Sequence, residues 1–256
     1  MTTDAVKVWL DRDGRLLRLR LARPKANIID AAMISALGTA LEEYSANLGI
    51  TAVLLDAEGP HFSFGASVEE HLPEHCADML KALHGLVVCM LENPAPILVA
   101  VRGQCLGGGL ELACAGSQIF VQGEARLGQP EIKLAVFAPA ASCLLPERVG
   151  RARAEDLLLS GRSISGEEAY RIGLANSVDE DPEAAALAWF DQHLASASAS
   201  SLGFAMRAAR LDLVERIKAK LEAVEVLYLE GLMSTHDAAE GLSAFMEKRP
   251  AVWRDR

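Results

Sequence analysis

Three consecutive glycines stand in Leu106-Gly107-Gly108-Gly109-Leu110-Glu111-Leu112, directly after the apolar run 95–101 and before a helical pattern. A chain that leaves a buried strand, turns on glycine and enters a helix is committed to an α/β arrangement. Glycine lets the backbone approach a ligand closely, because no Cβ is in the way. The N–H groups of the helix that starts there point at the same place, and the helix dipole makes that place attractive to negative charge. Glu111 follows two residues beyond the last glycine, and a second acid, Glu131, stands twenty residues on in Gly128-Gln129-Pro130-Glu131-Ile132. Two carboxylates flanking a set of N–H donors suit general acid–base chemistry next to a carbonyl oxygen.

The rest of the chain supplies a frame for that turn. Residues 6–10 and Leu16–Leu21, joined by Asp11-Arg12-Asp13-Gly14, predict a hairpin. Asp30 is a candidate cap for a helix over 31–46. Strands are expected at 52–56, 96–101, Gln118–Val121 and 125–128, with a helix over Cys76–Glu92 that Asn93-Pro94 must end. From Pro139 onward the pattern predicts helix almost throughout, broken at Gly150, Gly161, Gly173, Pro182, Gly203 and the small-residue joint 196–201. The expected organisation is an α/β core over 1–195 and a helical segment over 196–256.

With 256 residues, 51% of them hydrophobic, the chain can bury a large core. Its net charge of −10 argues against DNA or an anionic membrane as a main partner. An anionic ligand would need a local basic patch, for which Arg23, Lys25, Lys248 and Arg249 are the candidates. Cys76, Cys89, Cys105, Cys114 and Cys143 have neither CxxC nor metal-ligand spacing, which fits reduced thiols in a cytoplasmic protein. Met1-Thr2-Thr3-Asp4 carries no export signal, and no run is long enough to cross a bilayer. His71 and His75 are spaced i, i+4 without a third ligand, so they are expected on a solvated face rather than at a metal.

Six blocks in order make the chain resemble the crotonase family of enoyl-CoA hydratases and isomerases. They are Arg23-Pro24-Lys25-Ala26-Asn27, Phe62-Ser63-Phe64-Gly65-Ala66-Ser67, the stretch 106–113, the stretch 128–134, the pair 159–165 and 169–174, and the stretch 240–249. The resemblance implies a crotonase-type spiral of ββα turns with a C-terminal helical trimerisation region, assembled as a trimer or dimer of trimers. It implies an oxyanion hole from the N–H groups of Ala66 and Gly108, and a catalytic pair in Glu111 and Glu131. Keeping both acids favours water addition over isomerisation or cleavage. It places Lys25 and Ala26 along the CoA arm, with Phe245 and Lys248 toward the nucleotide of a neighbouring subunit. No metal or redox cofactor is implied, because CoA arrives as part of an acyl-CoA substrate.

The departures from the family pattern bear on the substrate. Phe64 stands where a small residue is common, Ser67 where Asp is common, and the loop after Lys25-Ala26 is one residue short. Ala138-Pro139-Ala140-Ala141 replaces the usual Pro-Gly-Ala-Gly, and Pro139 has no N–H to hold a water. Together with the ending 248–254, the wording is most similar to family hydratases that add water across a cyclic dienoyl-CoA in anaerobic aromatic degradation. A hydratase of linear enoyl-CoA thioesters and a non-catalytic acyl-CoA-binding subunit are the alternatives.

Overall fold

The computed structural model describes residues 5–72 and 74–256; Met1-Thr2-Thr3-Asp4, read above for an export signal, lie outside the described residues. The first sheet has strands β1 (Val6–Asp11), β2 (Leu16–Leu21), β3 (Ala52–Ala57) and β4 (Ile97–Val101), then β6 (Gln118–Val121) and β9 (Ser177–Val178). Only β1 and β2 are antiparallel, as the Asp-Gly hairpin predicts; every other pair in it is parallel. A smaller sheet holds β5 (Gln104–Leu106), β7 (Arg126–Gly128) and β8 (Ser163–Ser165).

The period-two alternation of the strands sorts their side chains onto two faces. Leu17, Leu19, Val53, Leu55, Ile97, Val99, Ile119 and Val121 face the main core. Helices α1 (Ala31–Ser45), α2 (Cys76–Glu92) and α3 (Gly108–Ala115) also bury their apolar sides in that core. Leu16, Leu54, Leu98, Ala100 and Phe120 face the other way, against Ala186, Phe190 and Leu194. The first two of these belong to α7 (Pro182–His193) and Leu194 follows it. On that second face, Arg18 and Arg20 converge on the buried Asp56 of β3, at 2.6 Å each, and on Glu183 of α7. Charges taken out of water in this way persist only when paired.

Beyond the small sheet come α4 (Pro139–Val149), α5 (Arg151–Ser160), α6 (Gly166–Arg171), α8 (Ala199–Ala209), α9 (Leu213–Val226) and α10 (His236–Met246). The later helices are tied to the core by specific contacts. Arg210, just past α8, donates to the carbonyl of Leu91 at 2.7 Å, near the C-terminal end of α2. On α9, Lys220 donates to the carbonyl of Ser142 on α4, and Glu225 lies 2.5 Å from Nδ1 of the buried His84 on α2. Helix α10 packs on the turn that follows the small sheet, Pro130–Leu134, where Gly241 lies so close to Leu134 that an added Cβ would sit 2.1 Å from the Leu134 carbonyl oxygen.

Three expectations need correction. The strand before the glycine turn is β5, not the 95–101 run, which is separated from it by the bend at Arg102-Gly103. The region after Pro139 is not wholly helical, since it contributes β8 and β9. These strands of three and two residues are too short to show periodicity, and their pairing to β7 and β6 creates them. His71 does not sit on a solvated face: it is half-buried, and its Nδ1 donates to the Ser67 carbonyl at 2.7 Å.

Candidate active site

The short parallel pair β5–β7 decides where the two acids go. Leu106 is in register with Gly128, so both strands end at the same level. From β5 the chain passes through Gly107 into α3, which carries Glu111 in its first turn. From β7 it passes through Gln129 into a single 3-10 turn, Pro130–Leu134, which carries Glu131. The N–H of Gly107 donates to the Gly128 carbonyl at 3.0 Å and locks the two exits together.

Each glycine answers a separate constraint. Gly107 has φ +49°, and a Cβ there would meet Glu131 Oε1 at 2.5 Å. Gly108 faces Ala66, and a Cβ would come within 3.1 Å of the Ala66 nitrogen. Gly109 packs on Ser63, where a Cβ would meet the Ser63 Cβ at 2.6 Å. The segment 62–66 is held alongside by bonds from Ser63 N–H to the Gln104 carbonyl, Leu106 N–H to the Ser63 carbonyl and Ile29 N–H to the Gly65 carbonyl. The Gly108 N–H, in the first turn of α3, has no carbonyl within the helix to bond. The Ala66 nitrogen lies beside it, so two backbone donors are side by side near the carboxylates. Such a pair can hold one carbonyl oxygen.

Glu111 is 3% exposed, and its Oε1 accepts from Ala141 N–H at 2.8 Å in the first turn of α4. Pro139 opens α4 at a position where no N–H is needed by the helix. Glu131 is partly accessible at a cavity wall, and the buried Gln129 amide faces it. Oriented to satisfy both groups, the amide nitrogen donates to the two carboxylate oxygens at 3.1 and 3.2 Å. Burial pushes the Glu111 carboxyl above its ordinary pKa, against the N–H groups of Ala141 and Ala140. Burial, reinforced by the nearby charge of Glu111, pushes Glu131 up as well. Both shifts favour the protonated carboxyl, so the pair can offer an acid and a base to one reaction.

The cavity beside Glu131 measures about 360 Å³ and is lined by Phe64, Ala66, His71, Glu131, Lys133, Leu134, Val136, Leu242 and Phe245, among others. Of the residues expected from sequence, Phe64, Ala66, Glu131 and Phe245 meet at this cavity, with Gly108 and Glu111 behind them. Phe64 is 44% exposed and packs edge-on to His61 rather than plugging the core. Phe245, expected to reach toward a neighbouring subunit, lines its own chain's cavity, because α10 folds back onto the Pro130–Leu134 turn. Lys25, Ala26, Ser67, Pro139 and Lys248 do not line it. Ala26 is adjacent through its carbonyl, which accepts from Phe64 N–H at 2.9 Å. Ser67 is adjacent through its bond to His71. Of the four candidate cations, Arg23 is paired with Asp30, and Arg249 with Glu240 and Glu247. Lys25 and Lys248 are exposed and have no ion pair among the described residues. Lys133 and Gln129 were not among the expected site residues, and His71 was expected on a solvated face; Gln129 carried a signal, its place between the strand and Pro130-Glu131.

A family model described as "Enoyl-CoA hydratase/isomerase" matches residues 11–256. The chain belongs to the enoyl-CoA hydratase/isomerase family. It is 68% identical over 251 residues to the cyclohexa-1,5-dienecarbonyl-CoA hydratase of Thauera aromatica, covering 98% of this chain and 97% of that protein. It is 32% identical to a probable enoyl-CoA hydratase of Rhizobium meliloti, over 96% of this chain and 97% of that one. Among solved structures, an enoyl-CoA hydratase/isomerase from Pseudoalteromonas atlantica superposes with a TM-score of 0.84 at 30% identity, covering 97% of this chain and 99% of that one. The chain is thus a crotonase-fold enzyme of the hydratase type. Among the described residues no helix is long and apolar enough to cross a membrane.

The raised carboxyls have a consequence for stability. An acid whose pKa is higher in the folded than in the unfolded chain stays protonated on folding, so stability falls as pH rises from the unfolded pKa to the folded one. Glu111→Gln and Glu131→Gln remove that loss. Each variant should melt progressively higher than the wild type as the pH is raised from 5 to 9. A melting-temperature difference that does not change over that range would show that the pair titrates as ordinary carboxylates.

Proposed function

We propose that this enzyme adds water to cyclohexa-1,5-diene-1-carbonyl-CoA and forms 6-hydroxycyclohex-1-ene-1-carbonyl-CoA, a step in anaerobic aromatic degradation. The observation that carries the reading is the 68% identity, over nearly the whole of both chains, to a hydratase named for that substrate. The site agrees with it. A chamber with apolar walls from Phe64, Val136, Leu242 and Phe245 suits a flat six-membered ring, and Glu131 stands at the same cavity.

In this reading the thioester oxygen accepts from the N–H groups of Ala66 and Gly108 and carries the developing enolate charge. One such donor is typically worth ~3 kcal/mol of barrier. The ionised member of the Glu111–Glu131 pair takes a proton from water as its oxygen bonds to the β-carbon. The dienolate spreads its charge to the far end of the diene, where the protonated member supplies the proton. One O–H bond of water breaks, one C–O and one C–H bond form, and the remaining ring double bond becomes conjugated with the thioester. No cofactor takes part, since CoA is carried by the substrate. Lys25 and Ala26 lie toward the CoA arm, where Lys133 adds a positive charge at the cavity. Lys248 is assigned to the nucleotide end, and Ser67 and Pro139 to the support of the pocket.

The test is kcat/KM for the cyclic dienoyl thioester against crotonyl-CoA on the wild type, Glu111→Gln and Glu131→Gln. The cyclic substrate should be preferred by the wild type, and each variant should lose at least ~100-fold in kcat. A preference for crotonyl-CoA would replace the ring reading with a linear-chain hydratase. Near-normal turnover in either variant would remove the two-carboxylate mechanism.

The same reading assigns the enzyme to a homo-oligomer, a trimer or dimer of trimers, in the cytoplasm. Support comes from the large apolar side chains left on the surface of the C-terminal region: Phe204 is 71% exposed, Leu211 80% and Leu227 60%. Exposed apolar surface of this kind is a feature of interaction sites when it is contiguous. Sedimentation at micromolar concentration should give a trimer or hexamer, and a stable monomer would refute the assignment.

A further inference from the structure

One buried polar group near the two glutamates has no role in the scheme above. Tyr228 is fully buried, and its hydroxyl has no hydrogen-bond partner among the described residues. A buried hydroxyl without a partner is costly and rare, so it needs a reason. Tyr228 lies in a single π-turn, Leu227–Gly231, that follows α9. The extra residue in such a turn re-aims its side chains, and these turns recur at functional sites. Here the neighbour Leu227 faces solvent while Tyr228 points inward. Its ring packs edge-on to Phe137 at 5.2 Å, in a cluster with Met79, Leu80, Val136 and Leu242. Val136 and Leu242 are also walls of the cavity, so the ring stands directly behind the chamber. Burial raises the pKa of the hydroxyl, and Cys76, Glu131 and Glu111 nearby raise it further, so it remains a donor.

A water held between two carboxyls has acceptors in excess and needs a donor. Helix α4 does not provide one. Pro139 has no N–H, and the N–H groups of Ala140 and Ala141 are directed to Glu111. We propose that the Tyr228 O–H donates a hydrogen bond to the oxygen that is added: the attacking water in one direction, the ring hydroxyl of the product in the other. Tyr228 is thereby a positioning residue for the nucleophile. The proposal rests on the hydratase reading but not on which acyl group is hydrated.

Tyr228→Phe removes one oxygen and keeps the ring against Phe137. The variant should melt at or above the wild-type temperature, because an unpartnered buried hydroxyl is lost. Its kcat for hydration should fall roughly 10–100-fold with KM changed less than about threefold, the loss expected for one hydrogen bond made to the reacting oxygen. Calorimetry should show weaker binding of the 6-hydroxycyclohex-1-ene thioester of CoA, by about tenfold. Binding of the cyclohex-1-ene thioester, which lacks the hydroxyl, should be unchanged. Unchanged kcat would overturn the proposal, as would equal weakening for both thioesters, which would make Tyr228 a shape-determining wall. If crotonyl-CoA proves to be the substrate, 3-hydroxybutyryl-CoA and butyryl-CoA replace the two ligands. The comparison then still decides the role of Tyr228 after the ring reading has failed.

Discussion

The site depends on three residues of parallel pairing. Gln104–Leu106 against Arg126–Gly128 brings two chain exits to one level, and everything chemical follows from what those exits carry. One leads to a helix N-terminus with free N–H groups, the other to a tight turn led by proline. A slip of one residue in this register would move Glu131 to the opposite side of the strand's continuation and separate the pair. The register is held from both sides, by β8 pairing antiparallel to β7 and by the segment 62–66 bonded along β5. The larger sheet supplies the rigid floor on which this small one is mounted.

Placing two carboxyls in such a frame works against folding, and the structure shows how the conflict is handled. Glu111 is given the first-turn N–H of Ala141, and Glu131 is given the amide of Gln129. These donors favour ionisation, yet burial raises both carboxyls, and the charge of Glu111 raises Glu131 further. The balance leaves a pair that holds a proton to higher pH than a pair exposed to water would. Stability is given up for that poise, as is common where acid and base must coexist.

Much of this was legible in the sequence. The Asp-Gly hairpin, the Asp30 cap and the helix ending before Pro94 follow local rules, and each is found where those rules put it. The glycine turn and both acids were visible because their constraints act within a few residues. Strands β8 and β9 were not, since segments of three and two residues exist only through their partners. The place of Phe245 in its own chain's cavity was not legible for a related reason: where α10 folds back is set by the contact of Gly241 with Leu134, more than a hundred residues apart. His71 was read as solvated because helical spacing says nothing about a cavity on the far side. Tyr228 gave no signal at all, for its meaning lies in a hydroxyl without a partner, which only packing reveals.

The division between fixed and variable parts of the site explains how one family can serve different thioesters. A side chain at any of the three glycines meets resistance: at Gly107 it would displace the Glu131 carboxylate from a positive-φ position, at Gly108 it would press on Ala66, and at Gly109 it would collide with Ser63. The glycine turn is therefore tightly constrained. The walls are not so constrained. Phe64 is half-exposed on a loop, Val136 follows a 3-10 turn, and Leu242 and Phe245 ride on α10. Changes in these positions alter the shape of the chamber without disturbing the register of β5 and β7. Shape alone discriminates weakly, by ~1–3 kcal/mol for each pocket group. A sharp choice between a ring and a chain therefore needs several walls acting together, along with donors placed for the oxygen and proton positions that only one of the two substrates presents.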